Sequence, residues 1–275
     1  MNPICPDAEA PSSSCAQHVL GTPLEVTTYA ELAQRCRDFT RLSCPIAIEF
    51  ANTQVVTMRR HEPAFHENSR PFDYFVPDGM PLIWCMNWCG AKLEDRVYGP
   101  TFMRLLMRDT PAPFTHYLLG GSRESSGPLL NVIKDWNSRT RVTGVHYGIC
   151  HPDGEMADPT VIDEINRLSP DFIWIALGTP KQQAWVHKHK SHLRRGVVLS
   201  VGFAFDANAG IKRDAPLWMQ RRGLTWLFRM MSEPGRLGPR YFRYNSLFLF
   251  YLLWDGMHGR AFSGPASAQG RRTSP

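Results

Sequence analysis

The chain has 275 residues, 43% hydrophobic and 20% charged, with 15 Phe, 8 Trp and 8 Tyr, enough apolar surface for one large domain or two small ones, which excludes disorder over most of the length. Gly and Pro, 21 and 22 residues, are too few for a collagen-like or linker protein, and the lack of any run of about 18 apolar residues excludes an integral membrane protein. The net charge of +6 lies in residues 212–243, where eight Lys and Arg face two Asp and Glu, so the rest of the chain is neutral and that segment is expected to meet an anionic partner.

Residues 1–22 are polar, rich in Pro and Ser, and lack a basic stretch followed by an apolar core. They read as a disordered tail, not a secretory leader. Seven Cys at irregular spacing, with no CxxC pair, argue against a zinc ribbon or redox dithiol and for free thiols in a reduced cytoplasmic protein. Thr28 and Glu31 form a capping-box pattern that opens a helix through about Arg41. Strand candidates follow at IAIEF (46–50), HYLLGG (116–121), RVTGVHYG (141–148), FIWIAL (172–177) and VVLSVG (197–202). Helical windows lie at 76–90, 100–109, 124–138, 158–168 and 180–194. Apolar strands alternating with helices predict an α/β fold with a parallel sheet over residues 23–210. Ligands of such sheets bind beyond the carboxyl ends of strands, so the loops after LLGG, IALG and SVG are where a site is expected.

After Gly210 the pattern turns helical and basic, with breaks expected at Pro216, Pro234 and Pro239. This segment, 211–262, ends in SLFLFYLLW (246–254), apolar on every face and too short to span a bilayer. It fits a core helix or a membrane-touching helix placed by Arg236, Arg240 and Arg243. Residues 263–275 read as a second tail.

No P-loop, GxGxxG, GxSxG, HExxH or DxD motif is present. His187, His189 and His192 fit a solvated helix face better than a metal site. In GTPKQQ (178–183), Gly178 can end a strand, Thr179 can cap and Pro180 suits a first helical turn, with Lys181 and Gln182 adding charge and donors. This is an anion site at a helix N-terminus or an ordinary strand-to-helix turn. Gly120 and Gly121 carry the same two readings. Asp78, in VPDGMPL, is a helix N-cap or a general base. Asn52, Arg96, Asp206 and the turn Gly210–Lys212–Arg213 also fall at strand ends, where polar groups would build a site.

Taken together, N(52)…PDGMPL…RVYGPTFM…LLGG…LGTPKQQAW…GFAFD…RDAP…GL.WL.RM..EP.R resembles the WecG/TagA/CpsF glycosyltransferases of bacterial cell-surface polysaccharide synthesis, from about Ile46 to Trp254. The resemblance implies transfer of a sugar, typically N-acetylmannosamine, from a UDP-sugar to a polyprenyl-diphosphate-linked saccharide, with inversion and without a divalent metal or other cofactor. The implied fold, GT-E, is a Rossmann-like parallel-sheet core with a basic helical C-terminal appendage that docks on the membrane. By the same resemblance Asp78 is the catalytic base, and Asn52 and Arg96 line the acceptor and donor pocket. Gly120, Gly121, Gly178, Pro180, Lys181, Gln182, Asp206 and Arg213 fall in substrate-binding segments, and Arg229, Arg236 and Arg240 close over the diphosphate. Three positions depart from the pattern: Gln183 and Thr225 stand where Glu is usual, and Phe50 where Thr is. They leave the donor sugar open, N-acetylmannosamine or glucose. The expected partners are UDP-sugar, lipid-linked acceptor and the anionic inner face of the plasma membrane. Nucleic acid is not expected, and homo-oligomerisation is left open. A non-catalytic UDP-sugar-binding scaffold subunit is the alternative.

Overall fold

A computed structural model of the protein describes residues 15–109, 114–147, 151, 153–156 and 158–258. Strands β1 (Ala16–Val19) and β2 (Thr22–Glu25) form an antiparallel hairpin around Gly21, whose φ of +79° suits glycine. The composition predicts a tail through residue 22. Instead Val19, Leu20 and Leu24 are buried, and Gln17 donates to the Cys89 carbonyl, so apolar anchors at alternating positions fix this stretch. The rest of both expected tails, 1–14 and 263–275, lies outside the described residues. Helix α1 (Tyr29–Phe39) starts at the expected capping box, where Thr28 Oγ1 accepts from the Glu31 N–H and Glu31 accepts from the Thr28 N–H.

Strand β3 (Pro45–Ala51) leads into α2 (Thr53–His61) and α3 (Pro63–Asn68), then β4 (Tyr74–Pro77), α4 (Met80–Trp88) and α5 (Gly99–Asp109). The chain continues through β5 (Thr115–Gly120), α6 (Arg123–Trp136), β6 (Arg141–His146), α7 (Val161–Leu168) and β7 (Phe172–Ala176). Helix α8 (Lys181–His189), a 3-10 turn at Lys190–His192, β8 (Gly196–Ser200) and α9 (Ala204–Asn208) complete this part. Strands β3 to β8 form one parallel sheet in the order β4-β3-β8-β7-β5-β6. This is the expected α/β, Rossmann-like core. Alternate residues of each strand feed opposite layers. Ala47, Ala51, Ile173, Ile175 and Val198 face α2, α4, α7 and α8, whereas Ile46, Ile48, Phe50, Trp174 and Leu199 face α1, α5, α6 and α9.

Three further helices follow: α10 (Leu217–Arg221), α11 (Thr225–Ser232) and α12 (Pro234–Met257). The break expected at Pro239 does not occur, and α12 runs through it. Proline only removes the N–H that would bond the Gly235 carbonyl. Packing outweighs that loss: Leu237, Tyr241, Tyr244 and Phe248 are buried, and Arg60 of α2 forms a two-pronged ion pair with Asp255 at 2.5 and 2.8 Å. The expectation of free thiols throughout also needs correcting. Cys44 is disulfide-bonded, whereas Cys15, Cys36, Cys85 and Cys89 are free; spacing in sequence does not show which thiols the fold brings together.

Candidate active site

A cleft of about 430 Å³ opens beyond the carboxyl ends of β3, β4, β7 and β8 and is walled on the far side by α11 and α12. Its place follows from topology. The chain steps from β3 outward to β4, then crosses to β5 and returns through β7 to β8 beside β3, leaving a crevice where the direction changes.

Asp78 is the first residue after β4. Its N–H continues the sheet by donating to the Ala51 carbonyl at 2.7 Å, which carries the side chain to the cleft floor. It does not cap α4, whose N-cap is Gly79 without a side-chain bond. Oδ2 instead accepts from the Gly99 N–H at 3.4 Å, and Oδ1 is shielded without a partner. Burial raises the Asp78 pKa to about 7, against the opposing pull of Arg96, the Gly99 N–H and Arg229. A carboxyl poised there exchanges a proton near neutral pH, as a general base requires.

Arg96 is buried beside it. Its guanidinium lies 4.1 Å from the Tyr98 ring, and Nη2 donates to Gln220 Oε1 and Thr225 Oγ1, both at 3.2 Å. The Tyr98 hydroxyl donates to Asp214 at 2.9 Å. Asn52 lines the cleft and caps α2, its Oδ1 accepting from the Val55 N–H at 3.1 Å. Because Asn and Ser favour caps, that helix start was encoded, yet at the end of an apolar strand the same residue also reads as a site residue.

The segment after β7 forms a third side. Gly178, with φ of +77°, turns the chain, and Pro180 rather than Thr179 occupies the N-cap position of α8. Thr179 Oγ1 accepts from Gln183 Nε2 at 3.3 Å. Gly178, Pro180, Lys181 and Gln182 all line the cleft, so the α8 N-terminus faces it. Opposite stand the cations. Arg229 lies 4.0 Å from the Phe203 ring, and Arg240 Nη1 donates to the Thr179 carbonyl at 3.4 Å. Arg236 pairs with Glu233 at 2.5 Å, and Lys212 lies 3.2 Å from Asp206 and 3.3 Å from Glu233.

Eleven of the fourteen residues singled out from sequence thus share one cleft: Asn52, Asp78, Arg96, Gly178, Pro180, Lys181, Gln182, Asp206, Arg229, Arg236 and Arg240. Gly120, Gly121 and Arg213 do not line it. A Cβ on Gly120 would lie 2.7 Å from the Ala176 carbonyl, and one on Gly121 would lie 3.0 Å from the Phe205 ring, so Gly120 permits close approach of β5 to β7 and Gly121 permits close approach of the following turn to α9. Arg213 is exposed. His189, read as part of a solvated face, is instead buried against Trp185.

The sequence does not single out Tyr98, Ser200, Trp226 and Tyr241, which line the cleft, or Glu49 beneath it, whereas Lys212, expected in a strand-end turn, lines the cleft. Glu49 carried a signal: it is the one charge inside the apolar run IAIEF. The others lie on elements whose meeting is set by tertiary packing.

Three N-acetylglucosaminyldiphosphoundecaprenol N-acetyl-beta-D-mannosaminyltransferases, of Staphylococcus aureus strains MRSA252, MW2 and NCTC 8325 / PS 47, are each 23% identical to the chain over 235 residues, covering 84% of it and 90% of their own length. A model of the glycosyl transferase WecG/TagA/CpsF family matches residues 17–261, from β1 past the end of α12. The chain belongs to the WecG/TagA/CpsF family of glycosyl transferases.

Proposed function

We propose that the protein is an inverting glycosyltransferase that moves a sugar, N-acetylmannosamine or glucose, from a UDP-sugar to a polyprenyl-diphosphate-linked saccharide. The observation that carries the reading is one cleft holding a carboxyl with pKa near 7, Asp78, and the cations Lys212, Arg229, Arg236 and Arg240. In an in-line displacement the acceptor oxygen bonds the anomeric carbon as its bond to UDP breaks. Asp78 takes the hydroxyl proton, and the negative charge goes to the departing diphosphate. Arginine forks and the amides at the α8 start are matched to that charge. The acceptor names of the relatives support the lipid-linked half of the reading.

The C-terminal helices support a membrane-surface location. No helix among the described residues is long and apolar enough to cross a membrane. One face of α12 packs on the core while Phe242, Leu249, Phe250, Leu253 and Met257 are exposed, with Arg243 alongside. An apolar face with flanking cations suits an anionic lipid surface, where each basic residue contributes about 1 kcal/mol. On this reading the protein is peripheral on the inner face of the plasma membrane.

The test is transfer of radiolabel from a panel of UDP-sugars to a short-chain polyprenyl-diphosphate monosaccharide, with and without EDTA. The expected result is transfer of one sugar that EDTA leaves intact. UDP binding without transfer to any such acceptor contradicts the enzyme reading in favour of a binding subunit.

A further inference from the structure

Glu49 lies in the middle of β3 with no solvent exposure. Its flanking residues, Ile48 and Phe50, enter one apolar layer, so its side chain enters the other, beside α8. Across the sheet it is in register with Ser200, the last residue of β8 and part of the cleft wall. A carboxyl at such a place is costly to bury unless its oxygens are used. One oxygen, Oε1, accepts from two amides at once: Gln183 Nε2 at 2.8 Å and Gln182 Nε2 at 3.2 Å.

That arrangement has a consequence for the cleft. With its N–H end held by Glu49, the Gln182 amide turns its carbonyl the other way, toward Gly202, and this oxygen has no partner among the described residues. The Gln183 amide, also held by Glu49, bonds Thr179 Oγ1, and the Thr179 carbonyl accepts from Arg240. One carboxyl therefore ties the strand floor to the 178–182 segment and, through it, to a cation of α12.

We propose that Glu49 is a positioning residue for the sugar donor: it fixes the Gln182 and Gln183 amides and thereby sets the 178–182 segment that faces the donor. It touches no reacting atom. Its role rests on the nucleotide-sugar reading of the cleft.

The experiment measures steady-state transfer by Glu49→Val, Glu49→Gln and wild type. Valine suits a buried strand but accepts nothing, whereas glutamine keeps an acceptor oxygen. The expected result is a KM for UDP-sugar raised about tenfold in Glu49→Val, the scale of lost hydrogen bonds, with kcat within about threefold. Glu49→Gln should stay near wild type in both constants. A merely structural role would change the melting temperature of Glu49→Val and leave its KM alone. An unchanged KM in folded Glu49→Val, or a fall in kcat without a rise in KM, overturns the proposal. If Glu49→Val does not fold, Gln183→Leu takes its place, because it removes the ties to Glu49 and Thr179 together and leaves the Glu49 carboxyl in place. An unchanged KM there is equally contradictory. A wild-type protein that turns over no UDP-sugar contradicts the functional reading itself, a failure distinct from wild-type turnover with an indifferent Glu49→Val.

Discussion

The two walls of the cleft are built in opposite ways. On the strand-end wall, each polar residue is anchored by at least one bond to backbone or to another side chain: Asp78 N–H to Ala51, Asn52 to the start of α2, and Glu49 Oε1 to two glutamines, while Asp78 Oδ1, Gln182 Oε1 and Glu49 Oε2 have no partner among the described residues. On the helical wall, Arg229 rests on an aromatic ring, and Arg240 reaches one carbonyl at 3.4 Å while its Nε has no partner. Lys212 and Arg236 share Glu233. The first wall supplies geometry, because a sheet fixes side chains on short rigid strands. The second supplies charge whose best partner is an anion in the cleft. Such a division suits a displacement in which one proton must be taken at one place and two phosphates held at another.

The largest effect is expected at the first wall. Asp78→Asn keeps the shape of the floor and removes the proposed base, so kcat should fall by about a hundredfold or more, the usual scale for that role. Near-normal turnover in a radiolabel assay would take Asp78 out of the mechanism. At the second wall, Arg240→Ala should raise the KM for UDP-sugar by about ten- to a hundredfold while leaving Asp78 in place, as expected for a charged hydrogen-bond donor. A change below about threefold would put the diphosphate elsewhere. The smallest effect is expected outside the cleft. Phe250→Asp with Leu253→Asp, both at exposed positions of α12, should cut retention on anionic vesicles by about tenfold, with turnover of a soluble short-chain acceptor little changed. Equal retention would move the lipid contact off this face.

How far these walls were legible in the sequence follows the same division. The central strands β3, β5, β7 and β8 announce themselves as apolar runs because both faces are buried, and the Thr28–Glu31 pair announces α1. Strand β4 is only four residues and ends at Pro77, and β1 and β2 are short and half polar, so periodicity is silent there. Helix α2 was hidden because TQVVTMRRH shows a weak apolar stripe, and its capping Asn52 reads equally as a strand-end polar group. The grouping of site residues came from the resemblance, not from spacing. Nothing in the order of residues brings Arg229 and Arg240 to Asp78, since α12 folds back on α2 and its C-cap through Arg60–Asp255 and a Tyr244–Glu62 hydrogen bond, and α11 packs on α12 through Trp226 and Tyr241. Gly120 and Gly121 sit at a strand end like site glycines and also allow close packing, which only the neighbouring Ala176 and Phe205 reveal.

The most direct test of the account is the pH dependence of kcat/KM between pH 5 and 9, which reports the ionisation of the free enzyme. Burial favours the neutral form of Asp78, with a pKa of about 7, so the base is protonated and idle below that pH. The same sign makes folding stability decline as pH rises from about 4 to about 7, where the unfolded chain has ionised this carboxyl and the native state resists doing so, and level off above 7. In wild type kcat/KM should climb about tenfold per pH unit to a plateau above pH 7, and Asp78→Asn should show a residual rate without that limb. A wild-type profile that is flat from pH 5 upward, or a limb that survives in Asp78→Asn, would contradict this role for Asp78.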